Sequence, residues 1–146
     1  MEFSVRNAVA TDVDAIRCAL RAAGLPVEGV DSQVDGIFVC ESSGVVQGVA
    51  GLEVYGTDGL LRSVVVNPQM RRLGIGALLC ERVVERAKTM GCDAVYLLTL
   101  DAAVYFEGLG FEILARNQAP AGIRSSDEFS RLCPASAVLM RRYIEK

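Results

Sequence analysis

The stretch from Leu61 to Gly76 constrains the fold more than any other part of the chain. An apolar, β-branched run ending in Val64-Val65-Val66 stops at Asn67-Pro68. An Arg71-x-x-Gly74-x-Gly76 loop follows and opens into an amphipathic pattern. A strand, a glycine loop and a helix in that order aim several backbone N–H groups and a helix N-terminus at one spot. Such a spot binds an anion, most naturally a phosphate or pyrophosphate. The glycines let the main chain approach closely, and Arg71 and Arg72 add positive charge. A Gly-x-Gly alone often only turns a chain. The flanking strand and helix give this one its weight.

At 146 residues the chain is expected to form one domain, residues 1–146, able to bury a core without disulfides or metal. Met1 to Ala10 does not read as a signal peptide, and the longest apolar runs are strand-length, so no membrane span is expected. A net charge of −3 argues against nucleic acid as the main partner. The hydrophobic fraction of 51% points to apolar surface covered by a second copy, a homodimer. Five cysteines, Cys18, Cys40, Cys80, Cys92 and Cys133, lie far apart without a Cys-x-x-Cys pair. That spacing suggests reduced thiols in a cytoplasmic protein. The chain has no histidine, which excludes Ser-His-Asp and Cys-His systems and His-based zinc sites. No metal is expected. A catalytic base has to be a carboxylate, a tyrosine, a thiolate or a water.

Periodicity and turn signals give the order β-α-β-β-β-α-β-α-β-β. Ser4 to Ala8 reads as a strand, and Thr11 as the cap of a helix through about Ala23 with Val13, Ile16, Leu20 and Ala23 on one face. Gly36 to Glu41 and Val45 to Tyr55 read as strands joined at Ser42-Ser43-Gly44, and Gly56 to Gly59 as the next turn. The helix after the glycine loop buries Leu79, Val83 and Ala87 and turns Glu81, Arg82, Glu85 and Arg86 outward. Gly91 ends it. Ala94 to Leu100 reads as a strand, Asp101 to Leu109 as a short helix and Phe111 to Ala115 as a strand. Asn117 to Pro134 reads as irregular, and Ala137 to Tyr143 as the last strand.

This order resembles the GNAT acetyltransferase superfamily across nearly the whole chain. Arg6-x-Ala8 with Asp12 and Ala15-Ile16 looks like that family's first strand and helix, and Gly48 to Leu52 like its third strand. Arg71-x-x-Gly74-x-Gly76 is similar to its acetyl-CoA motif, and Phe106-Glu107-Gly108-Leu109-Gly110-Phe111 to its closing helix-turn-strand. The resemblance implies an α/β (α+β) fold. It would be a single domain with a mixed central sheet of about seven strands, helices on both faces and splayed central parallel strands.

The resemblance also implies a mechanism. The pyrophosphate of acetyl-CoA would lie on the amides of Arg71, Arg72, Leu73, Gly74, Ile75, Gly76 and Ala77. Its pantetheine arm would pair like an extra strand along Val64, Val65 and Val66. An amine would attack the thioester directly, between the strands ending near Val66 and Thr99, with a backbone N–H of Leu61 to Val66 serving the oxyanion. Phe106 stands at a cofactor-facing position where many members carry a tyrosine that protonates the departing thiolate, and phenylalanine has no proton to give. Tyr105 is the nearest candidate donor, although one helical step turns it by about 100°. A thiolate of pKa ~8–9 also leaves without help.

Leu97-Leu98-Thr99, Tyr105-Phe106 and the tail from Pro120 to Ala137 look like the branch holding N-acetylglutamate synthase domains and arsenic-resistance acetyltransferases of the phosphinothricin and arsinothricin type. That branch implies acetyl transfer to the α-amine of a small acidic amino acid or analogue. A carboxylate substrate calls for arginine, and Arg62 interrupts the apolar run Leu60 to Val66, where a charge is costly without a partner. Arg124 and Arg131 are weaker candidates. Glu53 is the candidate base, direct or through a water ordered by Tyr55 and Ser63. Thr99, Ser136 and Cys133 are candidate lining residues, Cys133-Pro134 equally reading as a tight turn. Two alternatives remain. One is an acetyl-CoA sensor or partner-binding module without turnover; the other is a protein or peptide N-acetyltransferase, which would not need Arg62.

Overall fold

Three glycines placed just past apolar helical faces set where the main helices stop. The computed structural model describes residues 2–132 and 135–145. Cys133 and Pro134 lie outside the described residues, and so does the side chain of Arg131. The elements are β1 (Ser4–Asn7), α1 (Val13–Ala22), β2 (Ile37–Ser42), β3 (Val45–Tyr55), β4 (Asp58–Val66) and α2 (Ile75–Thr89). They continue with β5 (Ala94–Thr99), α3 (Ala103–Glu107), β6 (Glu112–Leu114), α4 (Ala121–Arg124) and β7 (Val138–Tyr143). Beyond α1, α2 and α3, Gly24, Gly91 and Gly110 take φ of 71°, 86° and 95°, a left-handed turn that glycine makes without strain. Each lets the following N–H reach back: Leu25 to Leu20 O at 2.9 Å, Cys92 to Ala87 O at 2.9 Å, and Phe111 to Phe106 O at 3.1 Å. These bonds satisfy carbonyls the helix ends would otherwise leave open.

The strands form one seven-stranded sheet in the order β1-β2-β3-β4-β5-β7-β6. The chain divides into two compact units, one running to Leu52 and including Ser63–Val83, the other made of Glu53–Arg62 and everything from Val84 onward. In the first unit, β1, β2 and β3 pair antiparallel. Ser43 and Gly44, with φ of 53° and 76°, make the hairpin turn between β2 and β3. The β2–β3 ladder pairs Cys40 with Gly48 but Glu41 with Val46, so Gln47 is the extra residue of a β-bulge. Ile16 and Leu20 of α1 pack with Ala8, Val30, Ile37, Val39 and Val49 in one apolar cluster. At Gly48 an added Cβ would fall 2.8 Å from Ile75 Cγ2 and 2.9 Å from Leu79 Cδ1. The first turns of α2 therefore sit directly on the backbone of β3.

The predicted cap at Thr11 needs correction. A 3-10 turn, Ala10–Asp12, precedes α1, and Asp12 occupies the cap position without a side-chain cap bond. Its carboxylate instead accepts the Val9 N–H at 2.7 Å and both arms of the Arg6 guanidinium, at 2.8 and 2.9 Å. A second carboxylate, Glu41, lies 3.2 Å from the same guanidinium. This fork-to-fork clamp ties β1 to the entry of α1.

In the second unit, β5 pairs antiparallel with β7, and β7 with β6. β4 and β5 run parallel, but their ladder covers only Asp58, Gly59 and Leu60 against Ala94, Val95 and Tyr96. Leu60, Ala94, Tyr96, Ala119, Ile123 and Leu139 form the core, with Tyr55 and Phe129 packed on it. The predicted turn Gly56 to Gly59 is shorter than expected, since β4 begins at Asp58. Asn117 to Pro134, predicted irregular, contains α4 between a 3-10 turn (Arg116–Gln118) and a π-turn (Glu128–Leu132). The buried Ile123 anchors it, and the Ser126 hydroxyl bonds Ile123 O at 2.6 Å and accepts the Phe129 N–H at 3.2 Å. Turns this short leave no periodic signal. Among the described residues no helix is long and apolar enough to cross a membrane.

The Arg6 guanidinium holds the Asp12 carboxyl below its ordinary value of 3.8. A depressed carboxyl contributes stability that is complete above its unfolded value and disappears as pH falls through the lower folded value. Asp12→Asn should lower stability at pH 7 by about 1 kcal/mol, discounted for the half-exposed Arg6. The loss should shrink as pH falls from 3.8 through the lower folded value, where the parent gives up the same contribution. Urea titrations of parent and variant at pH 7 and at a series of pH values descending below 3.8 measure both; a loss that never shrinks as pH falls would remove the clamp from the account.

Candidate active site

The anion loop belongs to the first unit. β4 ends at Val66, and Asn67 starts a 3-10 turn, Pro68–Met70, whose Gln69 N–H it accepts at 3.1 Å. Arg71 is extended, Arg72 adopts φ of 72° and Gly74 φ of 83°. Gly74 O accepts the Leu78 N–H at 3.0 Å, which begins the α2 ladder. The N–H groups of Ile75, Gly76 and Ala77 precede that first ladder bond and have no intrahelical acceptor. With the left-handed residues ahead of them they form the concave array that cradles phosphate oxygens. Arg71, Arg72, Leu73 and Gly74 are exposed, Ile75 and Gly76 are buried, and Ala77 is half-buried. Open space lies over Gly74, where an added Cβ would meet nothing within 4 Å. An exposed cradle ending on the N-terminus of a helix from Ile75 to Thr89 fits a phosphate-bearing cofactor.

In the same unit, Ser63 breaks the extended run of β4 with φ of 58°. This left-handed kink falls just before Val64, Val65 and Val66, all partly buried. Strand kinks of this kind re-aim side chains and interrupt pairing.

The second unit holds a polar cluster that the sequence predicts in part. Arg62 is 7% exposed, so its apolar surroundings do not leave it facing solvent. Its Nη1 lies 3.0 Å from Glu53 Oε2. Tyr55, two residues after Glu53 and on the same strand face, donates its hydroxyl to Glu53 Oε1 at 3.0 Å. Both carboxylate oxygens of Glu53 thus have a partner. Burial first, and the hydrogen bond to Glu53 second, push the Tyr55 phenol up to about 12. Tyr55 therefore remains a hydroxyl donor across the neutral range. α4 backs this tyrosine closely: a Cβ at Gly122 would fall 2.6 Å from Tyr55 Cβ.

The other candidates separate. Phe106 is 7% exposed and packs edge-on against Phe111, centroids 5.8 Å apart. Tyr105 is 48% exposed on the same helix, as the one-residue rotation predicts. Thr99 Oγ1 accepts the Ala102 N–H at 3.0 Å and starts α3, a local job compatible with lining a site. Ser136 and Arg124 are exposed. Sequence reading missed Gln47, whose side-chain oxygen accepts from Asn67 Nδ2 at 2.9 Å. Its one signal was a polar residue inside the apolar run Val45 to Leu52.

If the loop cradles phosphate, Gly74→Glu should abolish CoA binding while the fold survives. The side chain enters open space, but it brings a negative charge into the cradle and a strained φ costing about 1 kcal/mol. Calorimetry with CoA beside a melting curve decides it. Undiminished affinity in the folded variant would place the phosphate elsewhere.

The chain is similar to known acetyltransferases in sequence and in fold. The chain is 30% identical over 106 residues to an amino-acid acetyltransferase of Pseudomonas fluorescens and 29% identical over 106 residues to one of Pseudomonas paraeruginosa. Each match covers 71% of this chain and 24% of the relative, so the chain matches about a quarter of those proteins' length. Among solved structures, N-acetylglutamate synthase from Neisseria gonorrhoeae, complexed with coenzyme A and N-acetyl-glutamate, superposes with a TM-score of 0.87 at 19% identity. That superposition covers 100% of this chain and 36% of that one. Rv2747 from Mycobacterium tuberculosis, in complex with CoA and NLQ, gives 0.85 at 23% identity, covering 97% and 99% of the two chains. The family profile for acetyltransferases of the GNAT type matches residues 17–111, through the loop and α2, and the chain belongs to the acetyltransferase (GNAT) family.

Proposed function

We propose that the protein transfers an acetyl group from acetyl-CoA to the amine of a small acidic amino acid or a close analogue. The observation that carries this reading is the cluster of buried Arg62 with half-buried Glu53 and Tyr55 in the second unit. The amino-acid acetyltransferases among its relatives support it. The tail from Pro120 to Ala137 favours extending the substrate range to analogues of the phosphinothricin and arsinothricin kind. The thiols of Cys18, Cys40, Cys80 and Cys92, which form no disulfide among the described residues, favour a cytoplasmic setting. The high apolar fraction favours a homodimer.

Acetyl-CoA supplies the acyl group as a thioester with a thiolate leaving group. The residues of this chain bind and orient. The amides from Arg72 to Ala77 hold the pyrophosphate, with Arg71 and Arg72 offsetting its charge, and Val64, Val65 and Val66 offer main-chain groups to the pantetheine arm. Arg62 takes a substrate carboxylate through its planar fork. Glu53 receives the proton the substrate ammonium must lose, directly or through a water ordered by Tyr55 and Ser63. The amine nitrogen would form its bond to the acyl carbon and give up its second proton to solvent, the C–S bond would break, and the thiolate would take a proton from solvent. Phe106 belongs to the packing beside the cofactor position, and Thr99 and Ser136 line the acceptor side.

Arg62→Ala should raise KM for glutamate or phosphinothricin about tenfold to a hundredfold, the loss of about 1.5–3 kcal/mol expected for a charge-assisted contact. Arg62→Lys should recover only part, because an ammonium lacks the planar fork. KM for acetyl-CoA should stay within about twofold for both variants, and amines without a carboxylate should be poor substrates of the parent. Steady-state kinetics on both substrates, with melting curves, measures this. Equal losses on carboxylate-bearing and carboxylate-free amines would make Arg62 structural and shift the reading to a peptide or polyamine acceptor.

Tyr105→Phe should keep turnover within several-fold of the parent, since thiolate release needs no acid. Loss of a general acid would cost on the order of a hundredfold. A drop of that size in single-turnover acetyl transfer, with stability intact, would make Tyr105 the proton donor.

A further inference from the structure

Gln47 lies outside every residue assigned above to cofactor or substrate, yet both ends of the anion loop meet the dipeptide Gln47-Gly48. The β-bulge at Gln47 takes this residue out of the β2–β3 ladder, which re-aims its polar groups. Its main-chain oxygen accepts the Asn67 N–H at 2.8 Å, and its side-chain oxygen accepts Asn67 Nδ2 at 2.9 Å. The remaining polar groups of Asn67 serve the turn that follows: Oδ1 accepts the Gln69 N–H at 3.1 Å and the main-chain oxygen accepts the Met70 N–H at 2.8 Å. At the other end of the loop, Ile75 and Leu79 seat against Gly48. Between these two anchors Pro68, Gln69 and Arg71 to Gly74 are exposed.

We propose that Gln47 is a positioning residue for the cofactor, acting through Asn67 to fix where the anion loop starts relative to the N-terminus of α2. The inference rests on the reading that this loop holds acetyl-CoA. The physical reason is reach. A phosphate cradle works only when its N–H groups converge within hydrogen-bond distance of the same oxygens. The Gly48 seat fixes the helix end of the array, and the Gln47–Asn67 pair fixes the strand end. Gln47 is 8% exposed and Asn67 is half-buried, so the Gln47 end of the bond is sheltered from competing water.

Gln47→Met keeps the volume and removes the acceptor; Asn67→Ala removes the donor. Each should weaken CoA binding, read by calorimetry, about tenfold. Each should raise KM for acetyl-CoA to match, while kcat and KM for the amine stay within about twofold. The double variant should lose no more than Asn67→Ala alone, which also removes the acceptor for the Gln69 N–H, because Gln47 acts through Asn67. Melting curves select variants that remain folded at the assay temperature. Gln47→Glu, which keeps an acceptor toward Asn67 Nδ2, is the second variant should Gln47→Met fail to fold, and it should retain more affinity than Asn67→Ala. CoA affinity unchanged in both folded single variants would overturn the proposal. So would losses that add in the double variant, or equal losses in kcat and amine KM. A parent protein that does not bind CoA would instead overturn the function proposed above.

Discussion

The close seat of α2 on β3 is the contact on which the anion loop depends. Gly48 offers no side chain where Ile75 and Leu79 press in, and even a methyl group there would stand 2.8 Å from Ile75. A helix normally keeps about 10 Å from a sheet because side chains separate the layers. Here the first turn of α2 rests on bare backbone. That fixes the origin of the helix and with it the direction of its N–H groups. The loop from Asn67 to Gly74 must then span a set distance with positive-φ turns at Arg72 and Gly74. The bulge at Gln47 belongs to the same solution, since it holds the incoming strand beside the seat.

Much of this was legible because local chemistry and global fold agree. Leu79, Val83 and Ala87 read as the buried stripe of a helix and are buried, with Glu81, Arg82, Glu85 and Arg86 exposed. Val45–Tyr55 reads as one strand and is one. Gly91 reads as a stop and takes φ of 86°. The misreadings occur where a residue's partner lies outside its own element, or where an element is too short to carry a period. Asp12 serves Arg6 and Val9 rather than capping α1 with Thr11, and no helix pattern encodes a partner on another strand. α4 escaped because one buried isoleucine and a serine turn carry it.

Site residues divide along the same line. The phosphate cradle uses main-chain groups, so its signature is glycine spacing and survives in sequence. Arg62 was visible as a charge inside an apolar strand, while its pairing with Glu53 across nine positions was not. Gln47 was harder still. A bulge is a fault in register, and register depends on which strand lies alongside.

Two arginine–carboxylate clusters in this chain invite comparison. Arg6 and Asp12 tie β1 to the entry of α1, and the Val9 N–H completes the set; that is a structural task with visible beneficiaries. Arg62 and Glu53 join β3 to β4 instead, nine positions apart in sequence. Buried ion pairs are weak sources of stability, because desolvation consumes most of the Coulomb gain and apolar replacements often serve as well. In the function proposed above, the pair acts through what it presents to a ligand. It presents a cation and an anion about 3.0 Å apart, with the anion's second oxygen bonded to a tyrosine that stays protonated. A zwitterionic amino acid carries the complementary order, its carboxylate toward Arg62 and its ammonium toward Glu53. A polyamine matches only the carboxylate half and leaves the guanidinium without a counter-charge from the ligand. That asymmetry favours an amino-acid acceptor over a simple amine.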